Sequence, residues 1–173
     1  MFILATVLAF ATTVSLTSCN EDLCKNVECG AHGTCNAGVC DCEAGYEKDT
    51  NGRCDLLWSQ KFVGDFACKD VCTDSKGKAS NYDYEVSVKA LAVANTVSVS
   101  NFAGFTLTSG TLKVDSANNL VIDYTDTTGR TFKGTGKFVK AATATAKDVI
   151  NVTYSITFSD KTVDNCVGVY TRK

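Results

Sequence analysis

Cysteine is the residue type that could do the most varied chemistry in this sequence of 173 residues, which contains ten cysteines and a single histidine. Seven of the cysteines lie between Cys19 and Cys54, whereas Cys68, Cys72 and Cys166 are widely spaced. Thiols can form disulfides, bind metal ions or accept an acyl group. So high a density behind an apolar N-terminus favours disulfides formed in an oxidising compartment.

The N-terminal segment has the composition of an export signal. Its apolar run, residues 2–10, is shorter than the roughly 20 residues of a membrane-spanning helix and is typical of a signal-peptide core. The following Leu16-Thr17-Ser18-Cys19 resembles the lipobox of bacterial lipoproteins. The resemblance implies a signal peptide over residues 1–18 and acylation of Cys19. A plain secretory signal cleaved near Ser18 is the alternative, and the lack of Lys or Arg at residues 1–3 departs from both patterns.

A lipid on Cys19 would make the membrane a partner of this protein and residues 19–23 a tether. The resemblance implies a bacterial cell-envelope location, with anchoring in the outer membrane. The acidic residues directly after Cys19 resemble a signal for display on the cell surface. Whether the protein faces the surface or the periplasm stays open.

Six cysteines follow one another with the spacing C-x4-C-x5-C-x4-C-x-C-x11-C over residues 24–54. Spacing alone allows 15 connectivities. The spacing and the ending CDCEAGYEKDTNGRC, with Gly45 and Tyr46, resemble an EGF-like domain. The resemblance implies the bridges Cys24–Cys35, Cys29–Cys40 and Cys42–Cys54. A segment this short needs such bridges, because it cannot bury a sufficient core.

Two metal ions have to be weighed against the disulfides. The single histidine, His32, and the tight Cys40-x-Cys42 pair do not fit the ligand spacing of structural zinc. Calcium prefers several oxygen ligands, and Glu21 and Asp22 are candidates for it. Leu23 occupies the position beside the first cysteine where calcium-binding EGF-like domains carry a carboxylate. We therefore expect no cofactor and keep calcium at Glu21 and Asp22 as the alternative.

The chain changes character after a linker at residues 55–60. Residues 61–173 contain no proline and show strict alternation in NYDYEVSVKA and VINVTYSITF. A period of two over this length predicts strands with one buried face and one solvated face. Short connections predict about eight or nine antiparallel strands, with turns at Ser109-Gly110, residues 116–119 and Thr128-Gly129. Residues 140–148 form either a helical turn or a loop.

The predicted meander resembles the lipocalin-like β domains of bacterial envelope lipoproteins, on the segments FVGDFAC, VSVSNF and DNCVGVYTRK. An immunoglobulin-like sandwich is the structural alternative. An eight-stranded barrel is just wide enough to be filled by side chains or to hold one small molecule. Eight aromatic side chains could do either, and we expect them to fill it: Phe62, Phe66, Tyr84, Tyr124, Phe132, Phe138, Tyr154 and Phe158.

Three cysteines of the β domain leave an odd thiol. Cys72 follows the first predicted strand and Cys166 begins the last, and these strands are neighbours in a closed meander. The resemblance favours a Cys72–Cys166 bridge, with Cys68–Cys166 as the rival pairing. In the first case Cys68 is a free thiol, and its parity with Phe66 predicts that it is buried.

Catalytic patterns are not evident in the sequence. The β domain contains no histidine for a nucleophile–base pair. The carboxylates Asp65, Asp83, Glu85 and Asp123 are the candidates for a glycoside-cleaving pair, and of these Asp83 and Glu85 are expected on the solvated face of their strand. A net charge of −2 argues against nucleic acid as a partner.

We therefore predict a non-enzymatic, lipid-anchored envelope protein. It acts as a binding or interaction module for an unknown protein or glycan. The alternative is a carrier that holds a small apolar ligand inside a lipocalin-like barrel. A filled barrel would favour the interaction module, and an open cavity would favour the carrier.

Overall fold

The structure, a computed structural model, describes residues 22–106 and 109–173. A small disulfide module over residues 22–57 precedes an eight-stranded barrel. The predicted signal peptide, Cys19 and Glu21 lie outside the described residues. Over the described ranges, none of the helical segments combines the length and the hydropathy that crossing a bilayer requires.

Two short hairpins build the disulfide module. Strand β1 (Gly33–Asn36) pairs with β2 (Val39–Cys42), and β3 (Tyr46–Glu47) pairs with β4 (Leu56–Leu57). The turn between β1 and β2 consists of Ala37 and Gly38, which have φ values of 49° and 85°. Two successive positive φ values match the right-handed twist of the flanking strands, so this turn holds the hairpin in register.

Disulfides take the place of an apolar core in this module. The structure joins the pairs that the EGF-like resemblance implies, namely Cys24–Cys35, Cys29–Cys40 and Cys42–Cys54. Cys29, Cys40 and Cys54 are buried and make up the centre of the module. The bridges therefore supply the stability that so few apolar side chains cannot.

The barrel is a closed antiparallel meander in which each strand pairs with the next, and β12 pairs with β5. This confirms the prediction of an all-β domain with about eight strands. The strands are β5 (Gly64–Thr73), β6 (Ala79–Ala90), β7 (Thr96–Ser100), β8 (Ser109–Ser116), β9 (Asn119–Thr125), β10 (Thr131–Val139), β11 (Val149–Thr157) and β12 (Val163–Arg172).

Alternation along the strands directs apolar side chains into the barrel. In β11, Ile150, Val152, Tyr154 and Ile156 are buried, and the residues between them face outward. The same parity in β5 buries Phe66, Cys68, Asp70 and Cys72. One continuous core results, because every strand contributes its inward row.

One end of the barrel is closed by a 3-10 helix over Trp58–Phe62, which inserts the fully buried Phe62. The disulfide module lies at this end. Asn95 donates from Nδ2 to the carbonyl of Gly45 at 3.1 Å and accepts from the backbone N–H of Ser59 at 3.3 Å. Lys61 binds Glu47 in the module at 2.7 Å.

The opposite end carries the β5–β6, β9–β10 and β11–β12 turns and a second short 3-10 helix, Phe102–Gly104. Phe102 is 1% exposed, and its ring packs against Tyr124, Phe132, Tyr154 and Tyr170. Phe102 thus fills the middle of the barrel from this side.

The turn predicted at Ser109-Gly110 is wrong, because both residues belong to strand β8. Gly110 is at an inward position, where a β-carbon would lie 2.6 Å from the ring of Tyr124. The glycine therefore makes room for an aromatic ring inside the barrel. Glycine is favoured both at a turn and where a neighbouring side chain packs against the backbone, so the local sequence does not tell which of the two applies.

Two ambiguous segments also have defined conformations. Residues 140–148 form a loop with turns and no helix. The segment predicted as a linker is structured, since Leu56 and Leu57 pair with β3 and Trp58 begins the 3-10 helix. Trp58 donates from its indole Nε1 to the carbonyl of Tyr46 at 2.9 Å and joins the module to the barrel core.

Candidate functional site

A buried carboxyl group lies inside the barrel, which is unusual for a core built of apolar side chains. Asp70 on β5 is 2% exposed. Its Oδ2 accepts hydrogen bonds from the hydroxyls of Tyr84 at 2.5 Å, of Tyr154, and of Tyr170 at 3.5 Å. The hydroxyls of Tyr84 and Tyr170 are also 2.6 Å apart. We call these four residues the Asp70 cluster.

The four residues come from four strands of the closed barrel. β5 and β12 are the first and last strands and pair with each other, β6 flanks β5, and β11 flanks β12. Each residue is at an inward position of its strand. The cluster therefore exists only when the barrel is closed.

Glycines opposite the cluster provide its space. Gly168 pairs with Asp70 in the β5–β12 ladder, and a β-carbon on it would lie 1.8 Å from Asp70 Oδ1. Gly134 pairs with Tyr154, where a β-carbon would lie 2.5 Å from the Tyr154 Cα. Neither glycine has a positive φ, so both serve close approach and not a turn.

Burial controls the protonation of the cluster. It raises the pKa of Asp70, and the three phenol hydrogen bonds, which favour the charged carboxylate, offset this only in part. Burial also raises the pKa of Tyr84, Tyr154 and Tyr170, with the charge of Asp70 acting in the same direction. The three phenols therefore remain hydrogen-bond donors at neutral pH.

A cavity of about 380 Å³ lies beside the cluster at the end opposite the disulfide module. It is bounded by apolar and aromatic side chains together with acidic residues. Its lining residues are Asp70, Cys72, Tyr82, Asp83, Tyr84, Ala103, Gly104, Phe105, Tyr154, Ile156, Phe158 and Asp164. Such a volume lies in the range of small-molecule sites.

The predicted aromatic residues therefore divide into two groups. Tyr84, Tyr154 and Phe158 line the cavity. The remaining five pack into the core: Phe62, Phe66, Tyr124, Phe132 and Phe138. The expectation that aromatic rings fill the barrel holds for its closed half, whereas the other half contains the cavity.

The structure bonds Cys72 to Cys166, which are directly opposite each other in the β5–β12 ladder. This is the pairing that the resemblance favours. Cys68 is free, 2% exposed, and contacts the carbonyl of Phe66 through its thiol at 3.6 Å. Burial and the nearby Asp70 carboxyl raise the pKa of the Cys68 thiol.

The described residues that were weighed for metal binding lie in the disulfide module and not in the cavity. His32 stacks on Tyr46 with ring centroids 3.6 Å apart and contacts Glu43 at 3.2 Å. Asp22 accepts a hydrogen bond from the backbone N–H of Cys24 at 3.1 Å. Within residues 22–106 and 109–173, no group of three or more His, Cys, Asp or Glu side chains is arranged to hold a metal ion.

The four carboxylates weighed for catalysis are all on the outer face of the barrel. They are Asp65, Asp83, Glu85 and Asp123. The carboxylate of Asp83 is 3.6 Å from the ammonium of Lys69. The placement of Asp83 and Glu85 confirms the expectation from alternation that they are solvated.

Sequence reasoning missed Asp70. The parity of β5 contains the relevant pattern, since Asp70 shares the inward row with Phe66, Cys68 and Cys72. A charged residue on the apolar parity of a strand marks a candidate site, because burying a carboxyl group without partners is costly. Its tyrosine partners lie 14, 84 and 100 residues away.

Comparison with known protein families supports the prediction of an EGF-like domain in the first part of the chain. Residues 24–53 match the EGF-like domain family. No curated protein matches this chain.

Two solved structures resemble the fold weakly. One is a structural-genomics protein of unknown function from Bacteroides ovatus, with a TM-score of 0.46 and 12% identity over 64% of this chain and 41% of that chain. The other is Rv2717c from M. tuberculosis, with a TM-score of 0.39 and 16% identity over 67% of this chain and 97% of that chain. The chain thus spans less than half of the Bacteroides ovatus protein.

Proposed function

We propose that this protein is a non-enzymatic, lipid-anchored cell-envelope protein that binds a small ligand in the cavity of its barrel. The observation that carries the proposal is the cavity of about 380 Å³ beside the Asp70 cluster. Of the two functions that the sequence suggests, the cavity favours the carrier over a purely protein-binding module.

The form of the cavity supports ligand binding. Phe102 and the rings around it fill the barrel below the cavity, so the site is confined to one end. Apolar walls with a few polar groups at one side are typical of small-molecule sites. The hydroxyl network of the Asp70 cluster provides that polar side.

The protonation of the three phenols favours a hydrogen-bonding role for them over acid–base catalysis. General acid–base catalysis needs a group whose pKa lies near the working pH. The pKa values of Tyr84, Tyr154 and Tyr170 are raised, away from neutrality. These hydroxyls are suited to orient a ligand by hydrogen bonds.

The arrangement of the two parts fits an anchored carrier. The EGF-like module is next to Cys19 in the chain and lies at the closed end of the barrel. A lipid on Cys19 would thus connect to the module, which would act as a stiff spacer between the bilayer and the barrel. The cavity would remain at the far end.

The test is calorimetric titration of the full chain carrying Cys19→Ser, which cannot be acylated. Naphthylmethanol and naphthylmethylamine serve as probes. We expect saturable binding of at least one of them at one site per chain. Ile156→Trp places an indole in the cavity and is expected to weaken that binding at least tenfold, about 1.4 kcal/mol or more.

Val167→Trp is the matched control, because Val167 is exposed on the outer face of β12. It is expected to leave the affinity unchanged. Phe158→Trp at the cavity provides a second filling variant if Ile156→Trp does not fold. The absence of saturable binding of both probes, or equal binding by the filled variants, contradicts the proposal.

A further inference from the structure

The charged side chains that line the cavity are all acidic. Asp70 and Asp164 are both at inward positions, on β5 and β12. Among the described residues that line the cavity, none is Lys, Arg or His. Asp83 also contributes to the wall, but its side chain is on the outer face with Lys69.

Asp70 has no cationic partner among the described residues. Its Oδ2 accepts only from phenol hydroxyls. Its Oδ1 is buried and receives no hydrogen bond from any described residue. Buried carboxyl groups are ordinarily paired with a cation or kept protonated, because desolvating an unpaired charge is costly.

The guanidinium of Arg130, at the β9–β10 turn on this end of the barrel, is already paired with a carboxylate. Arg130 binds the buried carboxylate of Asp126 through Nε and Nη2, at 2.7 Å each. Its guanidinium stacks on the ring of Phe105 at 3.7 Å. Phe105 is a cavity residue, so one ring of the wall already contacts a cation.

Aromatic rings make up much of the remaining wall. Five of the twelve lining residues are aromatic, namely Tyr82, Tyr84, Phe105, Tyr154 and Phe158. The faces of such rings attract cations, and the attraction grows when the cation is desolvated. Carboxylates and ring faces around one cavity are complementary to an organic ammonium group.

We infer that the cavity selects a small organic cation, an amine or quaternary ammonium on an apolar group, over neutral and anionic molecules of the same shape. This inference rests on the proposed function. The ammonium would lie between Asp70, Asp164 and the aromatic rings. The apolar group would contact side chains such as Ile156 and Phe158.

The test compares probes that share one naphthyl group, on the Cys19→Ser full chain near pH 7, where the amine is protonated. Burial raises the pKa of Asp70 and Asp164, and an ammonium bound beside them favours their charged forms. The probes are naphthylmethylamine, naphthylmethanol and naphthoate. We expect the amine to bind at least tenfold more tightly than the alcohol, and the naphthoate to bind least. Asp164→Asn is expected to weaken the amine about fivefold and to leave the alcohol unchanged.

Asp123→Asn is the matched control, because it removes the same charge from the outer face of β9, away from the cavity lining. We expect it to change the affinity of the amine less than twofold. Asp70→Asn, which retains an acceptor for the phenols, is the second variant and is expected to reduce the preference for the amine. Should Asp164→Asn fail to fold, the ratio of amine to alcohol affinity in Asp70→Asn tests the inference in its place.

The outcomes separate the two proposals. Equal affinities for amine and alcohol, or tighter binding of the alcohol, overturn the cation preference and leave the binding function in place. Equal loss of amine binding in Asp123→Asn and Asp164→Asn also overturns it. Failure of both the amine and the alcohol to bind overturns the proposed function and this inference together.

Discussion

Asp70 and Gly168 are paired residues of the first and last barrel strands, and the carboxyl group of one occupies the space that a side chain on the other would need. A β-carbon at position 168 would lie 1.8 Å from Asp70 Oδ1. The glycine therefore provides the space that the carboxyl group of the Asp70 cluster occupies, although it contributes no side chain.

Gly168→Ala is expected to destabilise the protein by about 1–3 kcal/mol, because the added methyl group overpacks the core. In an Asp70→Ala background, Gly168→Ala should lower the free energy of unfolding by less, because the carboxyl group that the added methyl group would meet is absent. Urea denaturation of both single variants and the double variant measures the coupling, expected at about 0.5–3 kcal/mol. Gly136→Ala is the matched control, as its closest neighbour would be 3.1 Å away. Additive effects at positions 70 and 168 would contradict the packing relation.

Cys68 is expected to resist alkylation in the folded protein. Its thiol is buried, and its raised pKa keeps it from forming the thiolate that reacts. Mass spectrometry of Cys19→Ser protein with iodoacetamide should find no adduct under native conditions and one adduct in denaturant without reductant. Cys68→Ala should give none in either condition. Fast native labelling, or more than one adduct in denaturant, would refute this picture.

The Cys72–Cys166 bridge closes a loop with a sequence separation of 94. In the chain-entropy model such a loop is worth about 4–5 kcal/mol. Replacing both cysteines with alanine should lower the free energy of unfolding by about 3–5 kcal/mol, as measured in urea. Cys68→Ala, which deletes a buried thiol without a bridge, is the control and should cost about 1 kcal/mol. A similar loss of stability in Cys68→Ala and in the variant without Cys72 and Cys166 would argue against a stabilising bridge.

Asp126 should make the barrel sensitive to acid. Burial acts to raise its pKa, but hydrogen bonds from Thr128 and Arg130 outweigh burial and hold the pKa below its ordinary value of 3.8. Because the folded pKa is the lower one, this stabilisation is present above pH 3.8 and is lost as pH falls through the folded pKa.

Asp126→Asn should therefore lower stability near neutral pH by about 1.5–3 kcal/mol, the range for a hydrogen bond to a charged group. It should also flatten the loss of stability below pH 3.8. Thermal unfolding as a function of pH measures both effects. Asp123→Asn, at an exposed carboxyl on the same sheet, is the control and should leave the acid profile unchanged. An unaltered profile in Asp126→Asn would contradict the assignment.

Acylation at Cys19 is expected to define the mature N-terminus. Intact mass spectrometry of protein from membranes should find a chain that begins at residue 19 and carries two or three acyl chains. Cys19→Ser should abolish both the lipid and membrane association, because the anchor consists of the acyl chains that this cysteine carries. A lipid-free chain with a different N-terminus would favour the plain secretory signal.

The sequence by itself determined the disulfide module and the inward and outward faces of the long strands. Cysteine spacing is a local pattern, and alternation has a period that any strand with one buried face must follow. Only the closed barrel decided the site. Asp70, Tyr84, Tyr154 and Tyr170 are up to 100 residues apart, and they meet because β12 pairs with β5. The same closure explains Gly110 and Gly168, whose purpose is to make room for side chains on neighbouring strands.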